Sequence, residues 1–161
     1  MIWEELENNL VHISVDLVHI SVDATTMEEV MQKVGKTFVD TGYCKETFIE
    51  ALIAREKEFP TGLDIDGIGV AIPHTDISHV NRAAVAVATL KKSVTFVQMG
   101  TDDEFVQVRL VFMLAIDNPD AHLDKLEAIV AIIQDREILE KLLKSKNKIE
   151  IVEIIKAKEL K

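Results

Sequence analysis

Two spacings of apolar and polar residues alternate along this chain, one helical and one strand-like. Apolar residues recur every three or four positions from Met27 to Phe38, after two threonines that are each followed three residues later by a glutamate. This Thr-x-x-Glu spacing is typical of a capping box, which predicts a helix that opens there. Gly42 is suited to end that helix. Residues 45–57 predict a second helix, which has Phe48, Leu52 and Ile53 on one side.

Three apolar runs in the middle of the chain predict strands. Residues 83–90 form a continuous run of small apolar side chains, which is typical of a strand buried on both faces. Residues 94–98 predict a short strand and residues 106–116 a long one. After Pro119 three further apolar stripes recur at helical spacing. Helices that flank a central group of strands predict an α/β layered sandwich.

A repeated heptapeptide precedes the first helix. Residues 10–16 read Leu-Val-His-Ile-Ser-Val-Asp, and residues 17–23 repeat this segment without change. Because the repeat length is odd, a single straight strand would point the apolar residues of the two copies to opposite faces. The second copy leads directly into the helix cap, so we expect it to hold the sheet position. The first copy is an extension, an edge strand or a segment exchanged with another subunit, and the oligomeric state is left open.

Composition narrows the class of protein. The 161 residues fit one domain, 1–161, and 48% hydrophobic with 29% charged residues is typical of a globular chain. A net charge of −10 argues against nucleic-acid binding, which requires clustered Lys and Arg. One cysteine, Cys44, excludes an intramolecular disulfide and fits a reducing compartment. No signal peptide and no membrane-spanning apolar run is present, so we expect a cytoplasmic protein without membrane insertion.

The stretch of residues 69–76, Gly-Val-Ala-Ile-Pro-His-Thr-Asp, carries the most distinctive chemistry. Proline lacks a backbone N–H, so the strand is expected to stop there and leave His74 at its end, within reach of a partner. An imidazole in that position can accept a phosphoryl group, donate a proton or bind a metal. Arg55, near the end of the second helix, and His122, near the start of a later one, are candidate donors to phosphoryl oxygens.

Other interpretations of these residues stand beside the chemical one. Taken alone, His74 fits a structural turn histidine, Arg55 a surface helix residue, and His122 a partly exposed helix residue. His74, Asp76 and His79 suggest a metal-dependent hydrolase, but their spacing matches no compact metal motif. The chain has no P-loop, no complete G-x-G-x-x-G fingerprint and no G-x-S-x-G elbow. A phosphoryl acceptor without a nucleotide site must receive its phosphoryl group from another protein.

Three segments in this order resemble a known family: residues 51–63 (Ala-Leu-Ile-Ala-Arg-Glu-Lys-Glu-Phe-Pro-Thr-Gly-Leu), residues 69–74 and residues 121–126 (Ala-His-Leu-Asp-Lys-Leu). The family is the IIA component of the bacterial phosphoenolpyruvate-dependent sugar phosphotransferase system, fructose–mannitol class. The Phe-Pro-Thr-Gly-Leu run and the Ile-Pro-His-Thr-Asp segment are similar to its galactitol-type branch. The similarity covers roughly residue 23 to the end of the chain, and the doubled heptapeptide departs from the family pattern.

The resemblance implies a three-layer fold with a mixed sheet between helices. It implies that His74 accepts a phosphoryl group from the histidine-containing phosphocarrier protein HPr and passes it to a cysteine of a IIB component. Arg55 and His122 match the positions that flank the phosphohistidine, and neither a metal nor an organic cofactor is expected. Without fused IIB or IIC segments, a free-standing subunit for uptake of a sugar or galactitol-like sugar alcohol is expected. The alternative is a regulatory protein of the nitrogen-related IIA type, which signals its phosphorylation state by binding other proteins.

Overall fold

The computed structural model describes residue 13, residues 15–118 and residues 122–159, without the side chains of 122–126 and 159. Five strands and five α-helices lie within these residues. The strands are β1 (Val18–Val22), β2 (Gly62–Ile65), β3 (Ile68–Ala71), β4 (Ala84–Val97) and β5 (Phe105–Ala115). The helices are α1 (Met27–Asp40), α2 (Phe48–Glu58), α3 (His122–Ile133), α4 (Arg136–Lys144) and α5 (Lys148–Glu159).

The described strands form one mixed sheet in the order β1-β4-β5-β3-β2. The pairs β1/β4 and β3/β5 are parallel, whereas β4/β5 and β2/β3 are antiparallel. Residues of the central strand β5 alternate between two hydrophobic clusters on opposite faces of the sheet. Helices α1 and α2 cover one face, and α3, α4 and α5 cover the other. The predicted three-layer α/β sandwich is therefore confirmed.

Helix α1 begins as the capping box predicts. The Thr26 side chain accepts a hydrogen bond from the Glu29 amide at 3.1 Å, and Thr25 donates its hydroxyl to the Glu29 carboxylate at 2.6 Å. Helix α2 begins at Phe48, three residues later than predicted. Just before the helix, Cys44 forms an antiparallel bridge with Val80 and the Lys45 amide donates to the His79 carbonyl at 2.9 Å, so this segment pairs with a distant strand-like segment.

The second copy of the heptapeptide supplies the sheet strand, as expected, because β1 pairs with β4. Most of the first copy lies outside the described residues; its Ile13 is buried in the cluster beneath α3, α4 and α5. Within the described ranges, no helix is long and apolar enough to cross a membrane.

Two of the strand predictions need correction. Residues 83–90 and 94–98 were expected as separate strands, but β4 runs from Ala84 to Val97 with a register irregularity between Thr89 and Val94. Strand β2 was not predicted at all. It forms a hairpin with β3 through Asp66 and Gly67, which both adopt positive φ (49° and 94°), the conformation that an Asp-Gly turn favours.

The far end of the β4–β5 ribbon returns to the rest of the sheet beside β2. The Met99 amide donates to the Gly62 carbonyl at 2.8 Å, and Gly62 in turn pairs with Ala71 of β3. A side chain at Gly62 has no room, since an added Cβ would lie 2.7 Å from the Val97 carbonyl oxygen. This close approach brings the tip of the ribbon, residues 99–102, next to the segment that follows β3.

Candidate functional site

His74 lies directly after the carboxyl end of β3, as the Ile-Pro-His sequence predicts. Strand β3 ends at Ala71, and the Pro73 carbonyl accepts a hydrogen bond from the Leu114 amide of β5 at 2.9 Å. Proline offers no N–H to continue the ladder, so the chain leaves the sheet here. The His74 side chain is partly exposed, which places it where another molecule can reach it.

A backbone hydrogen bond defines which nitrogen of the His74 ring carries the proton. Nδ1 lies 2.9 Å from the Ile72 carbonyl oxygen. Because a carbonyl oxygen only accepts, Nδ1 must be the protonated donor. In the neutral ring the lone pair is therefore on Nε2, and this nitrogen can act as a nucleophile.

A cavity of about 570 Å³ opens beside His74. One wall is the end of α2 and the segment after it, with Arg55, Glu58, Phe59, Pro60 and Thr61. The opposite wall is the tip of the β4–β5 ribbon, residues 99–102. Three segments that are far apart in sequence thus meet around one imidazole, and the predicted pair His74 and Arg55 is brought together.

The Arg55 guanidinium is held in place by an aromatic ring. Its Cζ lies 4.1 Å from the centroid of the Phe59 ring, a cation–π contact within the same cavity wall. This contact restrains the position of the guanidinium beside the ring. A planar fork of donors beside a nucleophilic nitrogen is suited to binding the oxygens of a phosphoryl group.

A buried carboxylate supports this wall from behind. Glu56 is only 5% exposed, and its two oxygens accept hydrogen bonds from the Thr61 amide and the Thr61 hydroxyl, each at 2.7 Å. Burial raises the pKa of Glu56 to about 7, although both hydrogen bonds from Thr61 oppose that rise. The two contacts tie the last turn of α2 to the chain entering β2.

The surface around the cavity combines apolar and acidic side chains. Phe59 is 49% exposed and Met99 40% exposed, so two large apolar groups face solvent at the site. Glu58 and Asp102 also line the cavity, which therefore holds two carboxylates with one arginine among its described lining residues. Such a cavity is poorly suited to hold a free anion and better suited to a group that a docked protein delivers.

The third predicted site residue, His122, is the first residue of α3, but its side chain lies outside the described part of the structure. The parallel pairing of β3 and β5 places the carboxyl ends of both strands at one edge of the sheet. The backbone leading from β5 into α3 starts from that edge. The role of His122 stays a prediction.

The metal-site interpretation finds no set of ligands in the described residues. The His79 ring is engaged by Thr47, whose Oγ1 lies 2.8 Å from Nδ1. Among the residues that the structure describes, no group of three or more His, Cys, Asp or Glu side chains could hold a metal ion. Cys44 is buried, and burial raises its thiol pKa to about 12, which disfavours the reactive thiolate.

Sequence reasoning missed Glu56, Thr61 and the ribbon tip. One signal was available for Glu56: it follows Phe48 and Leu52 at intervals of four, so a carboxylate falls on the apolar stripe of α2. The place of Asp102 in the cavity wall depends on long-range packing.

Comparison with known proteins agrees with the fold and the motifs. The family model for the phosphoenolpyruvate-dependent sugar phosphotransferase system, EIIA 2, matches residues 11–158. The galactitol-specific EIIA component of Escherichia coli (strain K12) is 35% identical over 115 residues, which cover 71% of this chain and 76% of that protein.

Two solved structures share the fold at lower identity. The first is enzyme IIA Mtl in its complex with phosphorylated enzyme IIB Mtl from Escherichia coli. It has a TM-score of 0.75 and 22% identity, covering 91% of this chain and 99% of that one. The second is the nitrogen regulatory protein IIA-Ntr from Neisseria meningitidis, with a TM-score of 0.70 and 24% identity, covering 88% of this chain and 94% of that one. By the extent of the family match and the likeness to the galactitol-specific component, this chain belongs to the EIIA 2 family of the phosphoenolpyruvate-dependent sugar phosphotransferase system.

Proposed function

We propose that this chain is a single-domain, cytoplasmic phosphocarrier that accepts a phosphoryl group from phospho-HPr on His74 and passes it to a cysteine of a IIB component. One observation carries the proposal: the His74 Nδ1 proton is committed to the Ile72 carbonyl at 2.9 Å, in a ring that lines the same cavity as Arg55. The nucleophilic nitrogen is then Nε2. Family membership supplies the reaction class, phosphoryl transfer.

In the first transfer, the Nε2 lone pair of His74 attacks the phosphorus atom carried by HPr. The P–N bond to the HPr imidazole breaks, and its electron pair returns to that ring as the new P–Nε2 bond forms. His74 keeps its Nδ1 proton throughout, so its ring gains positive charge, and the Ile72 carbonyl stabilises this charge. In the second transfer, a IIB thiolate attacks phosphorus, and the electrons of the P–Nε2 bond return to His74.

Arg55 is proposed to bind the equatorial oxygens of the phosphoryl group, on which negative charge is concentrated in both transfers. His122 is proposed as a second donor to the same group. Glu58 and Asp102 bring negative charge to the cavity, which disfavours inorganic phosphate but attracts a partner with a basic surface around its own phosphorylated residue. The net charge of −10 acts in the same direction.

Uptake of galactitol or a related sugar alcohol is the proposed physiological role. It is supported by the 35% identity to the galactitol-specific EIIA component of Escherichia coli (strain K12) and by the Phe-Pro-Thr-Gly-Leu run of residues 59–63. The sugar itself is selected mainly by the membrane partner. A purified galactitol-type IIB protein that takes the phosphate supports this role. Failure of every sugar-specific IIB protein to accept it would favour the regulatory alternative.

The decisive experiment is incubation with phosphoenolpyruvate, the first enzyme of the system and HPr, followed by intact-mass and peptide mass spectrometry. We expect one acid-labile phosphate on His74, absent in His74→Ala. His79→Ala is the matched control and should be phosphorylated normally. His79 lies five residues after His74, and its ring Nδ1 is 2.8 Å from the Thr47 hydroxyl. Full labelling of another residue, or of His74→Ala, would overturn the proposal.

A further inference from the structure

Glu56 has no part in the proposed chemistry, yet it occupies a costly position. It lies on the inward face of α2, in line with the buried Phe48 and Leu52, where an apolar side chain would complete the stripe. A buried carboxylate is tolerated only when hydrogen bonds compensate the loss of water. Both of its oxygens are engaged by one residue, Thr61, through the backbone amide and the hydroxyl.

The contacts of Glu56 continue to the imidazole through a line of hydrogen bonds. The Thr61 carbonyl accepts from the Ile72 amide at 3.4 Å, and the Ile72 carbonyl accepts from His74 Nδ1 at 2.9 Å. Two residues, Thr61 and Ile72, therefore connect the Glu56 carboxylate to the ring nitrogen that carries the proton. The Ile72 carbonyl is the acceptor that favours a proton on Nδ1.

The same carboxylate also bears on the position of Arg55, which lines the cavity together with His74. The bonds from Glu56 to Thr61 close a short loop, and Phe59 and Pro60 within that loop form part of the cavity wall. Phe59 carries the Arg55 guanidinium on its ring at 4.1 Å. One buried side chain thus bears on the placement of both the nucleophile and the anion-binding arginine.

We propose that Glu56 is a positioning residue that, through Thr61, holds the Ile72 carbonyl against His74 Nδ1 and the Phe59 ring beneath Arg55. This inference rests on the proposed function of His74 for its effect on phosphoryl transfer. Its effect on the imidazole is independent of that function, because the proton on Nδ1 is set before any phosphate arrives.

Glu56→Leu and Glu56→Gln distinguish two roles of Glu56: positioning Thr61 by hydrogen bonds, and filling space in the core. Leucine fills the site without any hydrogen bond. Glutamine retains both, since its amide oxygen accepts from the Thr61 amide and its NH₂ group donates to the Thr61 hydroxyl. Thr61→Val is the reciprocal variant, which removes the hydroxyl and keeps the amide. Glu56→Leu and Glu56→Gln leave His74, Arg55 and the cavity lining unchanged, whereas Thr61→Val alters one lining residue by replacing its hydroxyl with a methyl group.

The first readout is the ¹⁵N chemical shifts of the His74 ring, which report the tautomer directly. We expect the wild-type protein and Glu56→Gln to hold the proton on Nδ1, and Glu56→Leu to show a mixture of the two tautomers. The second readout is transfer from phospho-HPr. The kcat in Glu56→Leu should fall on the order of 10- to 100-fold, with KM for phospho-HPr changed less than about twofold. Glu56→Gln should restore most of the rate.

A folded Glu56→Leu protein with the wild-type tautomer and the wild-type kcat would overturn the inference. If Glu56→Leu fails to fold, Thr61→Val decides: a shifted tautomer with a reduced kcat supports positioning, and unchanged values overturn it. Failure of the proposed function is recognised separately, because the wild-type protein would then take no phosphate on His74. The ¹⁵N shifts of the variants would still test the link from Glu56 to the ring.

Discussion

The buried carboxylate of Glu56 makes the stability of this protein depend on pH in an uncommon direction. Burial raises the pKa of Glu56 from its ordinary value of 4.5 to about 7 in the folded protein. Between these two pH values the native protein retains a proton that the unfolded chain has released. The free energy of unfolding therefore receives its full contribution from Glu56 below about pH 4.5, loses it as pH rises, and levels off above about pH 7.

Replacement of Glu56 by glutamine removes this contribution while it keeps the contacts to Thr61. A pKa difference of about 2.5 units corresponds to about 3 kcal/mol, at 1.36 kcal/mol per unit. The stability of the wild-type protein relative to Glu56→Gln should therefore fall by about 3 kcal/mol from pH 4.5 to pH 7.5. The stability of Glu56→Gln relative to the wild-type protein therefore increases as the pH rises.

Urea denaturation followed by far-ultraviolet circular dichroism at four pH values in this range measures the difference. Glu50→Gln is the matched control, because Glu50 lies exposed in the first turn of the same helix. Its difference from the wild-type protein should stay within about 0.5 kcal/mol over the range. A Glu56→Gln difference that is equally flat would refute the argument that burial holds the proton on Glu56.

Three further outcomes follow from other parts of the structure. Arg55→Ala should fold with little change in Tm, because Arg55 is exposed, but phosphoryl transfer should slow on the order of 100-fold. Normal transfer kinetics in Arg55→Ala would remove Arg55 from the site. Gly62→Ala should lower stability by about 2 kcal/mol or more in urea denaturation, since its Cβ meets a backbone oxygen, and an unchanged urea midpoint would contradict this. Cys44 should react with a thiol reagent at pH 8 only after unfolding, and rapid labelling of the native protein would contradict its burial.

The parts of this fold that short-range chemistry determines were predictable from the sequence. The Thr-x-x-Glu spacing before Met27 led to the observed helix cap, and Pro73 correctly marked the end of a strand with His74 just beyond it. These features depend on neighbours within a few residues. The burial of residues 84–88 on both faces of the sheet likewise followed from a continuous apolar run.

The features that were missed depend on contacts across the fold. The long strand β4 was predicted as two pieces because residues 91–93 are polar. Its two ends both pair with β5, on either side of a register irregularity between Thr89 and Val94. Helix α2 starts later than predicted where Cys44 and Lys45 pair with the distant residues Val80 and His79. The cavity wall formed by residues 99–102 depends on the approach of the ribbon to Gly62, which has no local sequence signal.

The ribbon tip has a consequence for how such proteins diversify. It forms one side of the cavity, yet it is separated by more than twenty positions of chain from His74, and its described anchor to β2 is the contact at Gly62. Mutations in the ribbon tip would change the surface that a partner protein contacts, without displacing His74 or the proton on its Nδ1. Evolution can thus vary the choice of docking partner at one turn while the reactive group, embedded in the sheet, stays the same.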